Sequence, residues 1–261
     1  MTIFEDGLNK NQANFAALSP LSFLERTSKT FPNLIALEYQ DYKLNYEQAL
    51  IRCNALANFI NDHKFKPSST IAVMLPNIPA MWECHYGVPK ADGVLNAINT
   101  RLDSNTVKFI LEHGEAKLFI YDSDYSPIVE KAFEDLSNPP VLVEFVDKIA
   151  GNTRSKFADA HNCLDYETEI KKYLDIKLEH SLPSDEWNSI ALNYTSGTTG
   201  NPKGVVYHHR GAYLNAIGNI LTWDLPMHPK YLWTLPMFHC NGWCFPWTIT
   251  ERAGTHVCLR Q

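Results

Sequence analysis

The sequence has little that would place it on a nucleic acid or in a membrane. Its 261 residues carry 23 Lys and Arg against 29 Asp and Glu, a net charge of -6. Nucleic-acid-binding domains are usually basic, so this balance argues against a general nucleic-acid binder. Runs of Lys and Arg, which would favour an anionic membrane surface, are lacking too.

Long apolar segments are also lacking. The first residues, MTIFEDGLNKNQANF, are polar and acidic and contain no apolar signal core. No uninterrupted apolar run approaches the roughly 20 residues that a membrane-spanning helix needs. We therefore expect a cytoplasmic protein without a transmembrane segment. Its six scattered cysteines favour free thiols over a disulfide framework.

The first two thirds of the chain alternate between helical and extended segments. Leu50, Cys53, Leu56 and Ile60, for example, recur at helical spacing. Strands separated by helices, with apolar β-branched cores, predict an α/β fold with parallel sheets flanked by helices on both faces. The clearest predicted strands are TIAVMLP, VLNAIN, KLFIYD and VLVEFVD.

Two segments depart from this alternation. Residues 147–163 lose their periodicity, which predicts an excursion over the surface. The final GTHVCLRQ predicts a strand with no helix or cap after it. We expect the sheet that holds this strand to present an unpaired edge and uncovered apolar faces.

A glycine- and hydroxyl-rich stretch, NYTSGTTGNPKGVV at residues 193–206, offers almost nothing to bury. Strand-like segments flank it, and a helix follows only after the second of them. A Walker A loop requires G-x-x-x-x-G-K-[ST] and a helix start, whereas Lys203 is followed by Gly204. The G-x-G-x-x-G pattern fails as well.

The same stretch has the chemistry of an anion-binding loop. Its glycines can adopt positive φ and let backbone N–H groups converge, and its hydroxyls add donors. Lys203 supplies a mobile positive charge. A flexible surface turn is the alternative, but the flanking strands and the lysine favour a phosphate site. The central residues are Ser196, Gly197, Thr198, Thr199 and Gly200.

YTSGTTGNPKG, residues 194–204, resembles the signature phosphate loop of the adenylate-forming (AMP-binding) enzymes, which include acyl-CoA synthetases, adenylation domains and luciferases. LPMFHCNGWCFPW, residues 235–247, resembles the next core motif of acyl-CoA synthetases. The upstream chain is similar to the family too, so the resemblance covers nearly all 261 residues. It is closest to the medium-chain and 3-methylmercaptopropionyl-CoA ligases.

The resemblance implies a reaction in two halves. A carboxylate attacks the α-phosphate of ATP to give acyl-adenylate and pyrophosphate, and the thiol of coenzyme A then displaces AMP. The implied partners are a small carboxylic acid, ATP with Mg²⁺, and coenzyme A. A homodimer of the full-length form is compatible with the resemblance.

The resemblance also implies roles for individual residues. Thr195 to Gly200, with Lys203, would hold the β- and γ-phosphates, and Thr195 matches a position that helps to hold Mg²⁺. His239 matches the histidine near the α-phosphate and the acyl carboxylate, where it can donate to developing negative charge. Lys203 and His239 are therefore the catalytic candidates. A plain core or surface histidine is the alternative for His239.

The acyl pocket would be lined by Asn241, Gly242 and Trp243, together with His239. The segment FHCNGW has no carboxylate to pair with a substrate ammonium group, so an uncharged acyl tail is expected. Core packing is the alternative for Trp243 and is favoured for Phe245 and Trp247.

A metal site in the same segment has weaker support. Cys240 and Cys244, as a helical pair at i and i+4, would join His239 as three possible ligands. No fourth ligand is evident in their aromatic surroundings, which argues against a metal.

Members of the family are considerably longer. They carry a Mg²⁺-binding glutamate, a ribose-binding aspartate and a C-terminal lid domain with a catalytic lysine, none of which we find in this sequence. We therefore expect residues 1–261 to form a partial N-terminal domain that is inactive alone. Two alternatives stay open: an aryl- or amino-acid-activating relative, and a non-catalytic nucleotide-binding remnant.

Overall fold

Two β-sheets form the centre of the molecule, and helices cover them. The computed structural model describes residues 2–134, 136–179, 182–195 and 202–260. The strands are β1 Ile35–Tyr39, β2 Tyr42–Asn45, β3 Thr70–Met74, β4 Val94–Ala97, β5 Leu118–Asp122, β6 Val141–Phe145, β7 Leu164–Asp165, β8 Ser189–Thr195, β9 Lys203–His208, β10 Lys230–Leu232 and β11 Thr255–Val257. The helices are α1 Leu21–Thr30, α2 Tyr46–Asp62, α3 Pro79–Lys90, α4 Ser104–His113, α5 Ser126–Phe133, α6 Lys156–Ala160, α7 Tyr166–Lys171, α8 His209–Thr222, α9 Cys240–Trp243 and α10 Phe245–Glu251.

The larger sheet has the order β7-β6-β5-β3-β4-β8-β9. Its strands are parallel except for the β8–β9 pair, which is antiparallel. The smaller sheet has the order β10-β11-β1-β2, with an antiparallel pair only at β1–β2. The predicted α/β architecture of parallel sheets and flanking helices is confirmed.

Local sequence explains where the helices begin. Asn45 caps α2 in a capping box, since its side chain accepts from the backbone N–H of Gln48 while the Gln48 side chain accepts from the backbone N–H of Asn45. Asp103 caps α4, since its side chain accepts from the backbone N–H of Thr106. The strands between these helices are buried on both faces, as the near-continuous apolar runs predict.

The prediction of a surface excursion over residues 147–163 is wrong in its second half. Ser155 caps the short helix α6, and Phe157, Ala158 and Cys163 are buried. Phe157 packs edge-on against Phe133 of α5. A helix of five residues is too short to show a hydrophobic period, so the pattern could not reveal it.

The C-terminal strand β11 is not an edge strand, because β1 and β10 pair with it on either side. Beyond it, Arg260 donates to Asp122 and Asp147, at 2.8 Å each, and so joins the end of the small sheet to the ends of β5 and β6. Tyr39 donates to the same Asp147 carboxylate at 2.7 Å. The expected uncovered apolar surface is present elsewhere, for example at Trp223.

Candidate active site

A cavity of about 440 Å³ lies outside the carboxyl ends of β4 and β8. Open α/β sheets usually bind ligands at this end of their strands, and the volume suits a small molecule. The cavity reaches from α4 across the sheet to the segment that follows β10. Its polar lining includes Asn99, Thr106, Asn193, Thr195 and His239.

Two predicted phosphate-binding residues face each other across the β8–β9 ladder. Thr195 ends β8, Lys203 begins β9, and the two are direct cross-strand partners. Both side chains are exposed, and Lys203 has no ion pair in the described part of the chain. The central loop residues Ser196, Gly197, Thr198, Thr199 and Gly200 lie outside the described residues. The prediction that the loop joins two strands, and not a strand to a helix, is confirmed.

His239 is brought to this cavity by a segment that Asn77 holds in place. Asn77 follows β3, and its amide donates to the carbonyls of Trp233 and Leu235 at 3.0 and 2.9 Å. Its oxygen accepts from the Met237 N–H at 2.7 Å. His239 itself is exposed at the cavity wall. Asn77 was not predicted from the sequence, because the residues that it holds lie 156 to 160 positions away along the chain.

The turn after His239 is left-handed. Residues Cys240 to Cys244 all have φ between 41° and 65°, so α9 is not a right-handed helix and the expected helical cysteine pair is wrong. Left-handed backbone is costly for residues with a Cβ and is concentrated at functional sites. At Gly242 a Cβ would lie 2.8 Å from the ring of Trp233, which explains the glycine.

A second, mostly apolar cavity of about 340 Å³ lies between this turn and α8. Trp243 lines it, and Asn219 of α8 donates to the Trp243 carbonyl at 2.8 Å. The residues found to line the two cavities do not include Asn241 or Gly242, which are buried in the turn. Cys240 lines both cavities and so marks their junction. The second cavity is lined by Tyr207, Gly211, Ala212, Asn215, Cys240, Trp243 and Cys244.

Burial controls the protonation of the groups in this region. It raises the pKa of the Cys244 thiol to about 11 and the pKa of the Tyr207 phenol well above its usual value. Both groups are therefore neutral at pH 7.

No cluster of three metal-ligating side chains occurs among the described residues. Phe245 and Trp247 are buried in the core, as their sequence context favours.

Three buried polar side chains near the cavities have no hydrogen-bond partner among the described residues. They are Asn193 and Asn241, with both amide atoms of each, and Tyr207, with its hydroxyl. Most buried polar groups in proteins are paired, so each of these needs an explanation. A bound ligand fits the positions of Asn193 and Tyr207, which line the two cavities.

A family model described as AMP-binding enzyme matches residues 24–261. The match covers nearly the whole chain, and the chain therefore belongs to this family of adenylate-forming enzymes. The predicted membership of the adenylate-forming (AMP-binding) enzymes is thereby confirmed.

Individual relatives agree in class. The chain is 40% identical over 263 residues to the peroxisomal acetate/butyrate–CoA ligase AAE7 of Arabidopsis thaliana, covering 98% of this chain and 46% of the relative. It is 39% identical over 270 residues to the peroxisomal trans-cinnamate:CoA ligase of Petunia hybrida, with coverage of 98% and 46%. The structure of the anthranilate CoA ligase AuaEII in complex with anthranoyl-AMP matches with a TM-score of 0.81 at 18% identity, covering 97% of this chain and 47% of that one. This last likeness shows the fold alone.

The chain thus spans about half the length of the curated relatives that it matches. Among its described residues, no helix combines the length and the apolar character needed to cross a bilayer.

Proposed function

We propose that this chain contributes the phosphate-binding loop and the acyl pocket of an ATP-dependent acid–CoA ligase. The observation that carries the proposal is one cavity that collects Thr195 and His239, with Lys203 directly across the ladder from Thr195. These are the residues that the family resemblance assigns to phosphates and carboxylate, and they come from segments 44 residues apart in sequence (Thr195 to His239).

In the first half-reaction a carboxylate oxygen of the acid attacks the α-phosphorus of ATP, and the bond to the pyrophosphate oxygen breaks. Carboxylates are weak nucleophiles, so positioning and charge neutralisation supply most of the catalysis. The ammonium of Lys203, which has no ion pair among the described residues, would neutralise charge on the β- and γ-phosphates. The exposed imidazole of His239 would donate to the α-phosphate or the attacking carboxylate.

In the second half-reaction the sulfur of coenzyme A attacks the acyl carbon, and AMP leaves. Mg²⁺, when bound with ATP, would neutralise phosphate charge during the first half. Thr195 fits a role as one oxygen ligand, because this exposed residue lines the cavity and carries a hydroxyl. The described lining of the cavity has no carboxylate.

The second cavity suggests the acyl group. Its described lining carries no charged side chain, which suits an uncharged short or medium acyl tail. One methylene in such a pocket changes binding by only about 1–3 kcal/mol, so activity should extend over several neighbouring chain lengths. An aryl acid is the second candidate, because aromatic Trp243 and Tyr207 line the cavity and one relative is named a trans-cinnamate:CoA ligase.

The test is acid-dependent exchange of pyrophosphate into ATP, measured on the protein expressed in its full reading frame. A panel would hold straight-chain acids from acetate to octanoate, benzoate, cinnamate and several amino acids. We expect exchange with adjacent aliphatic acids. Strong preference for a free amino acid would contradict the proposal, and an in-frame stop after Gln261 would favour the non-catalytic remnant.

Residues 1–261 would then be a partial N-terminal AMP-binding domain, with the lid domain supplied by further chain. Support comes from the coverage of only 46% of the acetate/butyrate–CoA ligase. The chain alone should release no AMP at a useful rate with ATP, Mg²⁺, coenzyme A and mixed acids, and robust turnover would contradict this. A cytoplasmic location and a full-length homodimer stay predictions, while the two curated relatives described above are named peroxisomal.

A further inference from the structure

The unpaired polar groups of Asn193 and Tyr207 lie on one face of the β8–β9 hairpin. Asn193 pairs with Val205, and Ala191 pairs with Tyr207. Directly paired residues of an antiparallel ladder point to the same face, and so do residues two positions apart. Asn193 and Tyr207 therefore project from the same face, diagonally across the ladder.

These two side chains stand where the two cavities meet. Asn193 lines the first cavity and Tyr207 the second, while Cys240 lines both. The Asn193 amide is close enough to lower the pKa of the Tyr207 phenol, against the larger opposite effect of burial. Nevertheless neither side chain has a partner in hydrogen-bond geometry among the described residues.

This arrangement destabilises the folded protein. Asn193 is 8% exposed and can offer two N–H donors and one carbonyl acceptor, all of them unused. The Tyr207 hydroxyl is a further donor without a partner among the described residues. A phenylalanine would have nearly the same shape and would lack this group. Unpaired buried polar groups are destabilising, and sites that break such a rule are usually functional.

We propose that Asn193 and Tyr207 recognise an oxygen atom on the tail of the acyl substrate, so that the ligase prefers oxygen-bearing short acids to plain alkyl acids of the same length. The inference rests on the proposed function and refines its substrate class. A hydroxyl or keto oxygen at the junction of the cavities would accept from the Asn193 N–H and the Tyr207 O–H. The otherwise apolar lining of the second cavity would hold the rest of the tail.

The test compares five-carbon acids that differ only in one oxygen: pentanoate, its 3- and 4-hydroxy derivatives, and 4-oxopentanoate. Dissociation constants come from tryptophan fluorescence, which reports on Trp243 in the second cavity, and KM and kcat from pyrophosphate exchange. Both are measured on the protein in its full reading frame. We expect at least one oxygenated acid to bind about two- to tenfold more tightly than pentanoate, the net effect of one hydrogen bond.

Tyr207→Phe should remove most of this preference, so that the variant binds the oxygenated acid no more tightly than pentanoate. Asn193→Leu should act in the same direction. Tyr213→Phe on α8 is the matched control, because it deletes a phenolic oxygen from a ring outside both cavity linings. Thermal unfolding distinguishes a role in ligand recognition from a structural role, because Tyr207→Phe should keep or raise the Tm of the ligand-free protein if the hydroxyl serves only the ligand.

Equal affinity of the wild type for all five-carbon acids would overturn the inference and leave the proposed function intact. So would a Tyr207→Phe protein that keeps the preference or melts at a lower temperature. Absence of binding and exchange with every carboxylic acid would overturn the proposed function together with the inference.

Discussion

The region around α2 and α3 and the region around the β8–β9 hairpin treat buried polar groups in opposite ways. In the first, Glu83 is fully buried, and its carboxylate accepts from Arg52 at 2.5 Å and from the Tyr166 hydroxyl at 2.7 Å. In the second, Asn193 and Tyr207 have no hydrogen-bond partner within the part of the chain that the structure describes. Saturated polar groups hold a fold together, whereas unsaturated ones are kept where a ligand can satisfy them.

Backbone conformation and the exposure of apolar side chains also differ between these two regions. Helix α2 has a complete capping box, whereas the turn after His239 holds five successive residues with positive φ. Trp243 and Val206 near the hairpin are 62% and 57% exposed, but Trp82 of α3 is fully buried. The turn beside the candidate site therefore combines consecutive positive-φ residues with an exposed apolar side chain, Trp243.

The largest expected effect is on catalysis, from Lys203→Ala. Removing one preorganised charge from the phosphates should lower pyrophosphate exchange on the order of 10²–10³-fold without destabilising the fold. Lys230→Ala, which removes an exposed lysine of β10, is the control and should exchange normally. Unchanged exchange in Lys203→Ala would remove the assignment of this lysine to the phosphates.

The next effect is on stability, from Glu83→Gln in the saturated region. The change leaves the Arg52 guanidinium, only 13% exposed, with Glu167 as its remaining partner, so unfolding free energy should fall by about 3 kcal/mol. Urea unfolding measures it. Glu169→Gln removes a surface pair with Lys172, itself 55% exposed, and should cost less than about 1 kcal/mol. Similar losses in both variants would show that the buried network is not special.

A smaller effect is expected from Gly242→Ala in the strained turn. The new Cβ would lie 2.8–2.9 Å from two ring atoms of Trp233, and the residue has φ +54°, so the protein should lose about 1–3 kcal/mol. Gly218→Ala in the middle of α8 is the control, because nothing lies within 4 Å of the Cβ that this substitution adds. That control should gain about 0.5–1 kcal/mol in urea unfolding. A neutral Gly242→Ala would mean that the turn adapts freely.

The smallest expected effect is the change in stability that one buried histidine contributes over one pH unit. Burial lowers the pKa of His85 and His209 to about 4 and that of His256 to about 3, from an ordinary value of 6.5. The folded protein keeps these rings neutral, while the unfolded chain takes up protons below pH 6.5. Stability is therefore complete above that pH and should fall toward pH 4, by up to about 1.4 kcal/mol per pH unit for each histidine.

Urea unfolding between pH 7.5 and 4.5 measures this slope. His209→Gln, which removes one of the three buried rings, should reduce the slope. A stability that does not change from pH 7 to pH 5 would show that the buried rings are accessible to protons.

Much of the candidate site could be predicted from local sequence. The order of residues from Thr195 to Lys203 predicted an anion-binding loop between two strands, since glycines, hydroxyls and one lysine have few other uses together. The motif around His239 placed that histidine near the phosphates by resemblance. Its position at the cavity agrees, although its role stays a prediction.

The polar residues that position or complete the site could not be predicted in this way. Asn77 holds a segment 160 residues away in sequence, and Arg260 holds carboxylates 138 and 113 residues away. Nothing in the local pattern of NIPA or CLRQ indicates such a partner. The short helix α6 was missed for a related reason, because its burial depends on Phe133 of a different helix.

The sequence by itself determined most of the strands and helices and the chemical character of the loop, because hydrophobic period, capping residues and glycine content act over a few neighbouring positions. Only the tertiary structure decided that Asn193 and Tyr207 share a face, with no partner among the described residues, and that residues 240–244 turn left-handed against Trp233. Whether a buried polar group is paired depends on atoms brought together by the whole fold, and local sequence carries no record of those distances.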